Sequence, residues 1–173
     1  MAGRFLILQL RPEAEASDDE FAAFLRKGGL APQEVRRVRL ERERLPGDVA
    51  LEDFAGVIVG GGPGCVSDTA EEKSPQEARI EAEIRALLPQ IVAQDMPFLG
   101  CCYGIGLLAD HLGAPVSKAR WGEPVGGVAC RKTAEGAADP LLAPLPEAFH
   151  ALVGHKEAVQ ALPPGCAHLV ASG

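Results

Sequence analysis

The stretch MPFLGCCYGIGLLADHLG, Met96–Gly113, carries the clearest structural instruction in this sequence. A short apolar run ends at Gly100, two cysteines follow, and apolar residues resume after Gly104. The first run, Met96–Cys101, predicts a strand, and Tyr103–Gly113 predicts a short helix closed by Gly113. Strand, sharp turn and helix is the repeating unit of α/β sheets.

Working outward, the same unit recurs. RFLILQL (Arg4–Leu10) and FAGVIVG (Phe54–Gly60) are compact apolar runs, the pattern of strands buried on both faces. EVRRVRL (Glu34–Leu40) alternates and predicts a strand nearer the edge. SDDE (Ser17–Glu20) has the form of a capping box before Phe21, Phe24 and Leu25, and Gly28-Gly29 stops that helix. Ser74-Pro75 opens another, with Ile80, Ile84, Leu87, Leu88 and Ile91 in one stripe and Glu77, Glu81 and Glu83 away from it. Glu72 and Lys73 read as helix-entry residues. This alternation of apolar strands and helices predicts an α/β fold, with a mainly parallel sheet covered by helices on both faces. After Gly113 the character changes to short strands at Val125–Thr133, Ala148–Gly154 and Ala167–Ser172, separated by Pro-rich turns. With no repeat and no linker, residues 1–173 read as one domain.

Composition narrows the function. A net charge of -7 argues against nucleic acid as a main partner, because phosphate recognition needs clustered Lys and Arg. The basic run Arg26–Arg44 is interleaved with Glu and apolar residues and reads as a solvated face. The six-residue run FLILQL is too short for a signal-peptide core or a membrane span, so a cytoplasmic address and no membrane partner are expected. The five cysteines have neither CxxC nor zinc-finger spacing, so no metal and no cofactor are expected.

Two glycine-rich turns fall at the carboxyl ends of strands, where α/β sheets bind ligands: GGGPG after Val59 and CCYG after Leu99. Gly100, Cys102 and Gly104 fit G-x-C-x-G, the spacing of a nucleophile elbow. Small flanking residues allow the sharp bend, and the positive end of the following helix favours negative charge on the sulfur. The N–H of Tyr103 and one from the GGGP loop, best placed at Gly62, would face a developing oxyanion. Cys101 belongs to the strand and should point into the sheet. The plainer alternative is that both thiols fill core space and the glycines serve packing.

The segment MPFLGCCYGIGLLA resembles the nucleophile segment of the class I glutamine amidotransferases, and VIVGGGPGCVSD resembles their oxyanion loop. GHKEAVQALPPG, Gly154–Gly165, is similar to a later family stretch in which a His and an acidic residue precede V-x-x-L-P-x-G. The resemblance is closest to the glutaminase domain of GMP synthase and its stand-alone relatives. It implies a flavodoxin-like three-layer fold and hydrolysis of the glutamine side-chain amide through a thioester on Cys102. Ammonia would pass to an acceptor, for which a separate synthetase chain would be needed. It also implies substrate contacts at Gly61, Glu123 and His155. Two positions depart from the pattern. Gly106 stands where the family carries Gln, which leaves open another γ-glutamyl or amide substrate. The family's His-Pro-Glu base segment does not occur in these residues. Either the chain is incomplete at its C-terminus, or it is a catalytically inactive binding or regulatory relative.

Of the four histidines, His111 lies nine residues beyond Cys102, about 13 Å along a helix and out of reach. His150 and His168 read as half-buried strand residues, and His155 as the family's site-proximal histidine. Related thiol hydrolases place their His directly after the nucleophile; here Tyr103 occupies that position. Trp121, the only Trp, reads as a rim or pocket-wall residue.

Overall fold

The computed structural model describes residues 3–172. The chain divides into two compact units, one running to His111 and the other starting at Leu112.

The first unit contains β1 (Arg4–Gln9), α1 (Ala14–Gly28), β2 (Val35–Arg39), β3 (Phe54–Val59), α2 (Pro75–Ala93), β4 (Phe98–Gly100) and α3 (Tyr103–His111). Its four strands are parallel, in the order β2-β1-β3-β4. The apolar runs dictate this order. Leu6, Ile7 and Leu8 of β1 and Val59 of β3 are fully buried, as central strands require, whereas β2 alternates and takes an edge. The β1-to-β2 and β3-to-β4 connections step in opposite directions along the sheet. Right-handed crossovers therefore place α1 and α2 on opposite faces. The result is the expected α/β architecture, with the carboxyl ends of β1, β3 and β4 at one edge.

The helix signals hold in part. Ser74 caps α2 reciprocally: its hydroxyl accepts from the Glu77 N–H at 3.2 Å, and its own N–H donates to Glu77 Oε2 at 2.8 Å. Ile80, Ile84, Leu88 and Ile91 are buried, each contributing on the order of 1.5–3 kcal/mol. Gly29 closes α1 in the left-handed conformation, with φ 62°. The SDDE reading fails. The helix starts three residues before Ser17, which is buried inside it with its carbonyl accepting from Gln9 Nε2 at 2.6 Å. The basic run around Arg36, Arg37 and Arg39 is tied into ion pairs with Asp48, Asp18 and Glu41.

Glu81 is a second correction. It is buried, with Lys73 Nζ 2.8 Å from Oε2, Arg85 Nε 2.9 Å from Oε1 and the Tyr103 hydroxyl 2.5 Å from Oε2. Lys73 is likewise no mere helix-entry residue, since it also donates to the Val66 carbonyl at 3.1 Å. Burial pushes the Glu81 carboxyl up, but hydrogen bonds from Lys73, Tyr103 and Arg85 outweigh it and hold it below the usual range. A carboxyl depressed in the folded state contributes stability that is full above its unfolded value. That stability is lost as pH falls through the lower, folded value. Stability should therefore decline below about pH 4.3. Glu81→Gln should lower stability at pH 7 by about 2 kcal/mol and flatten the acid limb. Urea unfolding at several pH values checks both.

The second unit contains β5 (Val116–Ser117), β6 (Glu123–Lys132), α4 (Ala134–Ala138), β7 (Ala148–His155), β8 (Ala158–Val159) and β9 (Val170–Ser172). Its strands pair antiparallel, as β7-β6-β9 and β5-β8. Among the described residues no helix is long and apolar enough to cross a membrane.

Candidate active site

β4 ends at Gly100, and the chain turns into α3 through Cys101 and Cys102. Cys102 has φ 52°, the left-handed region, which costs a non-glycine residue about 1–2 kcal/mol. Such strain at a strand-to-helix bend is the signature of a nucleophile elbow. One hydrogen bond and two close backbone approaches hold it. The Cys101 N–H donates to the Val59 carbonyl at 2.9 Å. A Cβ on Gly104 would lie 2.7 Å from that same oxygen, and one on Gly100 would lie 2.6 Å from the Ile105 nitrogen. Both elbow positions therefore demand glycine on steric grounds.

Cys102 is exposed and Cys101 half-buried. Burial pushes the Cys101 thiol up; Glu20 and Cys102 add to this, and Arg11 opposes it. The paired cysteines thus occupy different environments, although β4 stops one residue short of Cys101.

The glycine loop after β3 comes to the same place. The Gly60 N–H is held by the Leu8 carbonyl at 2.9 Å. A Cβ built on Gly61 would stand 3.5 Å from Cys102 Cβ and 2.8 Å from Arg11 Nη2. The Gly61 N–H itself donates to Glu20 Oε1 at 3.0 Å. Gly62 and Tyr103, the two expected oxyanion donors, both line a cavity of about 170 Å³ together with Leu10, Pro12, Pro63 and Ile80, whereas Cys102 and Gly61 are not among its lining residues. The hydroxyl end of Tyr103 is fixed to Glu81 of α2, which pins the first turn of α3.

The family model for the class I glutamine amidotransferases matches residues 25–172. The chain belongs to that family. Curated relatives of the chain include the glutamine-hydrolysing GMP synthases of Thermus thermophilus, 33% identical over 141 residues, and Thermomicrobium roseum, 34% identical over 146 residues. Each match covers 79% of this chain but 24% of the relative, so the chain spans about a quarter of their length. Among solved structures, a glutamine amidotransferase from Methylobacillus flagellatus superposes with a TM-score of 0.71 at 24% identity. That match covers 99% of this chain and 62% of the other. One from Thermotoga maritima gives a TM-score of 0.70 at 22% identity, covering 96% and 66%. These likenesses support the fold.

The remaining expected site residues, Glu123 and His155, lie in the second unit and face each other across the β6–β7 ladder. His155 Nε2 is 2.7 Å from the Trp121 carbonyl and 3.6 Å from Glu123 Oε2. Trp121 is exposed, with the Arg120 guanidinium 4.9 Å above its ring. Trp121, Glu123, His155, Gln160 and His168 line a cavity of about 780 Å³. The half-buried reading of His150 and His168 is wrong. Alternation along β7 turns Phe149 and Ala151 inward and His150 outward, and His168 precedes β9 and is exposed. His111 ends α3, exposed.

Sequence reasoning missed Glu20, Arg11 and Gln9. Their signal was a polar cluster, Gln9 and Arg11, straddling the end of an otherwise apolar strand, where ligands bind in this fold.

Proposed function

We propose that the protein hydrolyses the side-chain amide of glutamine through a thioester on Cys102 and hands the ammonia to an acceptor held by a separate synthetase chain. The observation that carries this is the approach of the Gly60–Gly62 loop to an exposed, strained Cys102 at the head of α3. Reading residues 1–173 as one domain is supported by a family match that runs across both units.

In this reading the Cys102 sulfur attacks the amide carbon. The carbonyl oxygen becomes an oxyanion between the N–H groups of Gly62 and Tyr103, each donor of this kind being worth about 10²–10³ in rate. Collapse breaks the C–N bond, ammonia leaves with a proton, and water cleaves the thioester to glutamate and free thiol. Gly104 and Gly100 serve by keeping the bend tight. Gly61, beside Cys102, contacts substrate or its surroundings. The family's His-Pro-Glu segment, which would shuttle the proton, does not occur in residues 1–173, so the measurement uses the complete translated product.

Glutamine-dependent ammonia and glutamate should appear in equal amounts and disappear in Cys102→Ala. Release from another γ-glutamyl amide but not from glutamine would locate the effect of Gly106 in substrate choice. Release from neither would overturn the reading.

A further inference from the structure

We infer that Glu20 is the positioning residue of the oxyanion loop, and that it must be a carboxylate. This rests on the function proposed above. Glu20 projects from α1 onto the loop after β3, with its side chain only 13% exposed. Oε1 accepts from the Gly61 N–H and from Arg11 Nε, both at 3.0 Å. Oε2 accepts from Gln9 Nε2 at 2.9 Å. It also occupies the place of a side chain on Gly60, since a Cβ there would sit 2.5 Å from Oε2 and 3.0 Å from the carboxyl carbon.

The Gly61 N–H is committed to Glu20, and in the function proposed above the next amide, that of Gly62, is the loop's oxyanion donor. The carboxylate clamps one end of that peptide and thereby sets the direction of the next amide. The group must also accept at both oxygens. Gln9 cannot reverse its amide to suit another partner. Its Oε1 is held by Arg37 Nε at 2.5 Å, and its Nε2 also donates to the Ser17 carbonyl at 2.6 Å. A glutamine at position 20 would therefore set an NH₂ against Gln9 Nε2, or against the Gly61 N–H and Arg11 Nε. Either arrangement leaves buried donors facing each other, and the loop is the part free to move.

The test separates loop alignment from thiol reactivity at Cys102. Acylation by p-nitrophenyl acetate forms a bond from sulfur to the acetyl carbon, passes through an oxyanion, and expels p-nitrophenolate with the bonding pair while the thiol proton goes to solvent. Alkylation by iodoacetamide displaces iodide with no oxyanion. Both rates are measured at the Cys102 peptide by mass spectrometry, which excludes signal from exposed Cys166. Glu20→Gln should lower the ratio of acylation to alkylation at least about tenfold, a fraction of what deleting an oxyanion donor costs. Damage to the fold alone moves both rates together. Gly60→Ala, whose Cβ displaces the carboxylate, should give the same fall and decides the question if Glu20→Gln does not fold. A ratio within twofold of wild type in either folded variant overturns the role of Glu20 alone. Wild-type protein that forms no acetyl adduct on Cys102 overturns the proposed function, and this inference with it.

Discussion

Cys102→Ala should lower glutamine-dependent ammonia release by at least about three orders of magnitude, whereas Cys101→Ala should leave it within about threefold. The two residues are adjacent and chemically identical, so the contrast isolates geometry. Cys102 is exposed at the left-handed bend, facing the glycine loop. Removing its sulfur removes the only atom in this scheme that bonds to the substrate carbon. Cys101 contributes to the elbow through its backbone N–H, which bonds the Val59 carbonyl and survives substitution by alanine. Its half-buried thiol, held in the protonated form by burial, supplies packing worth about 1 kcal/mol. Steady-state ammonia assays with thermal melts on both variants decide the matter. Equal losses in the two would dissolve the division of labour.

The second large effect is expected at Gly104. A methyl group there meets Val59 from three directions, at 2.7 Å from its oxygen and 3.0 Å from its Cβ and Cγ1. Val59 cannot yield, because it is fully buried in a central strand and its carbonyl already receives the Cys101 N–H. The start of α3 must move away from β3 instead, carrying Cys102 with it. Gly104→Ala should cost about 2–3 kcal/mol, lower Tm by roughly 5–10 °C and reduce ammonia release at least about 100-fold. Gly127→Ala in β6 is the matched control. Its Cβ meets nothing within 4 Å, and Tm should stay within about 1 °C. A Gly104→Ala protein of normal activity would mean that the tight bend is dispensable.

These effects rest on features that differ in how plainly the sequence shows them. β1 and β3 are legible because strands buried on both faces must be apolar throughout, and the Ser74 cap because its pairing with Glu77 is local. The elbow is legible because its G-x-C-x-G spacing is local: Gly100 is forced by its near neighbours, even though Gly104 is forced by Val59 on another strand. Glu81 and Glu20 are not. Each sits on an amphipathic helix where a glutamate ordinarily faces water. Each is held by partners distant in sequence: Tyr103 for the first, Gly61 for the second. The SDDE pattern misled for a related reason. Arg37 and Gln9 claim the polar groups of Ser17 from across the sheet, so a local cap is overridden by tertiary contacts. In the second unit, β5 and β8 have two residues each and α4 has five, too short for any periodicity. Apolar Val125 and Leu152 are almost fully exposed, so hydrophobicity there does not report burial.

Covalent capture of the nucleophile tests the central claim most directly. A chloroketone analogue of glutamine, incubated with the protein and followed by peptide mapping, should add one equivalent at Cys102, and excess glutamine should slow the reaction. Modification spread across Cys101 and Cys166, or a rate at Cys102 indifferent to glutamine, would show that the sulfur and the glycine loop do not form a glutamine site.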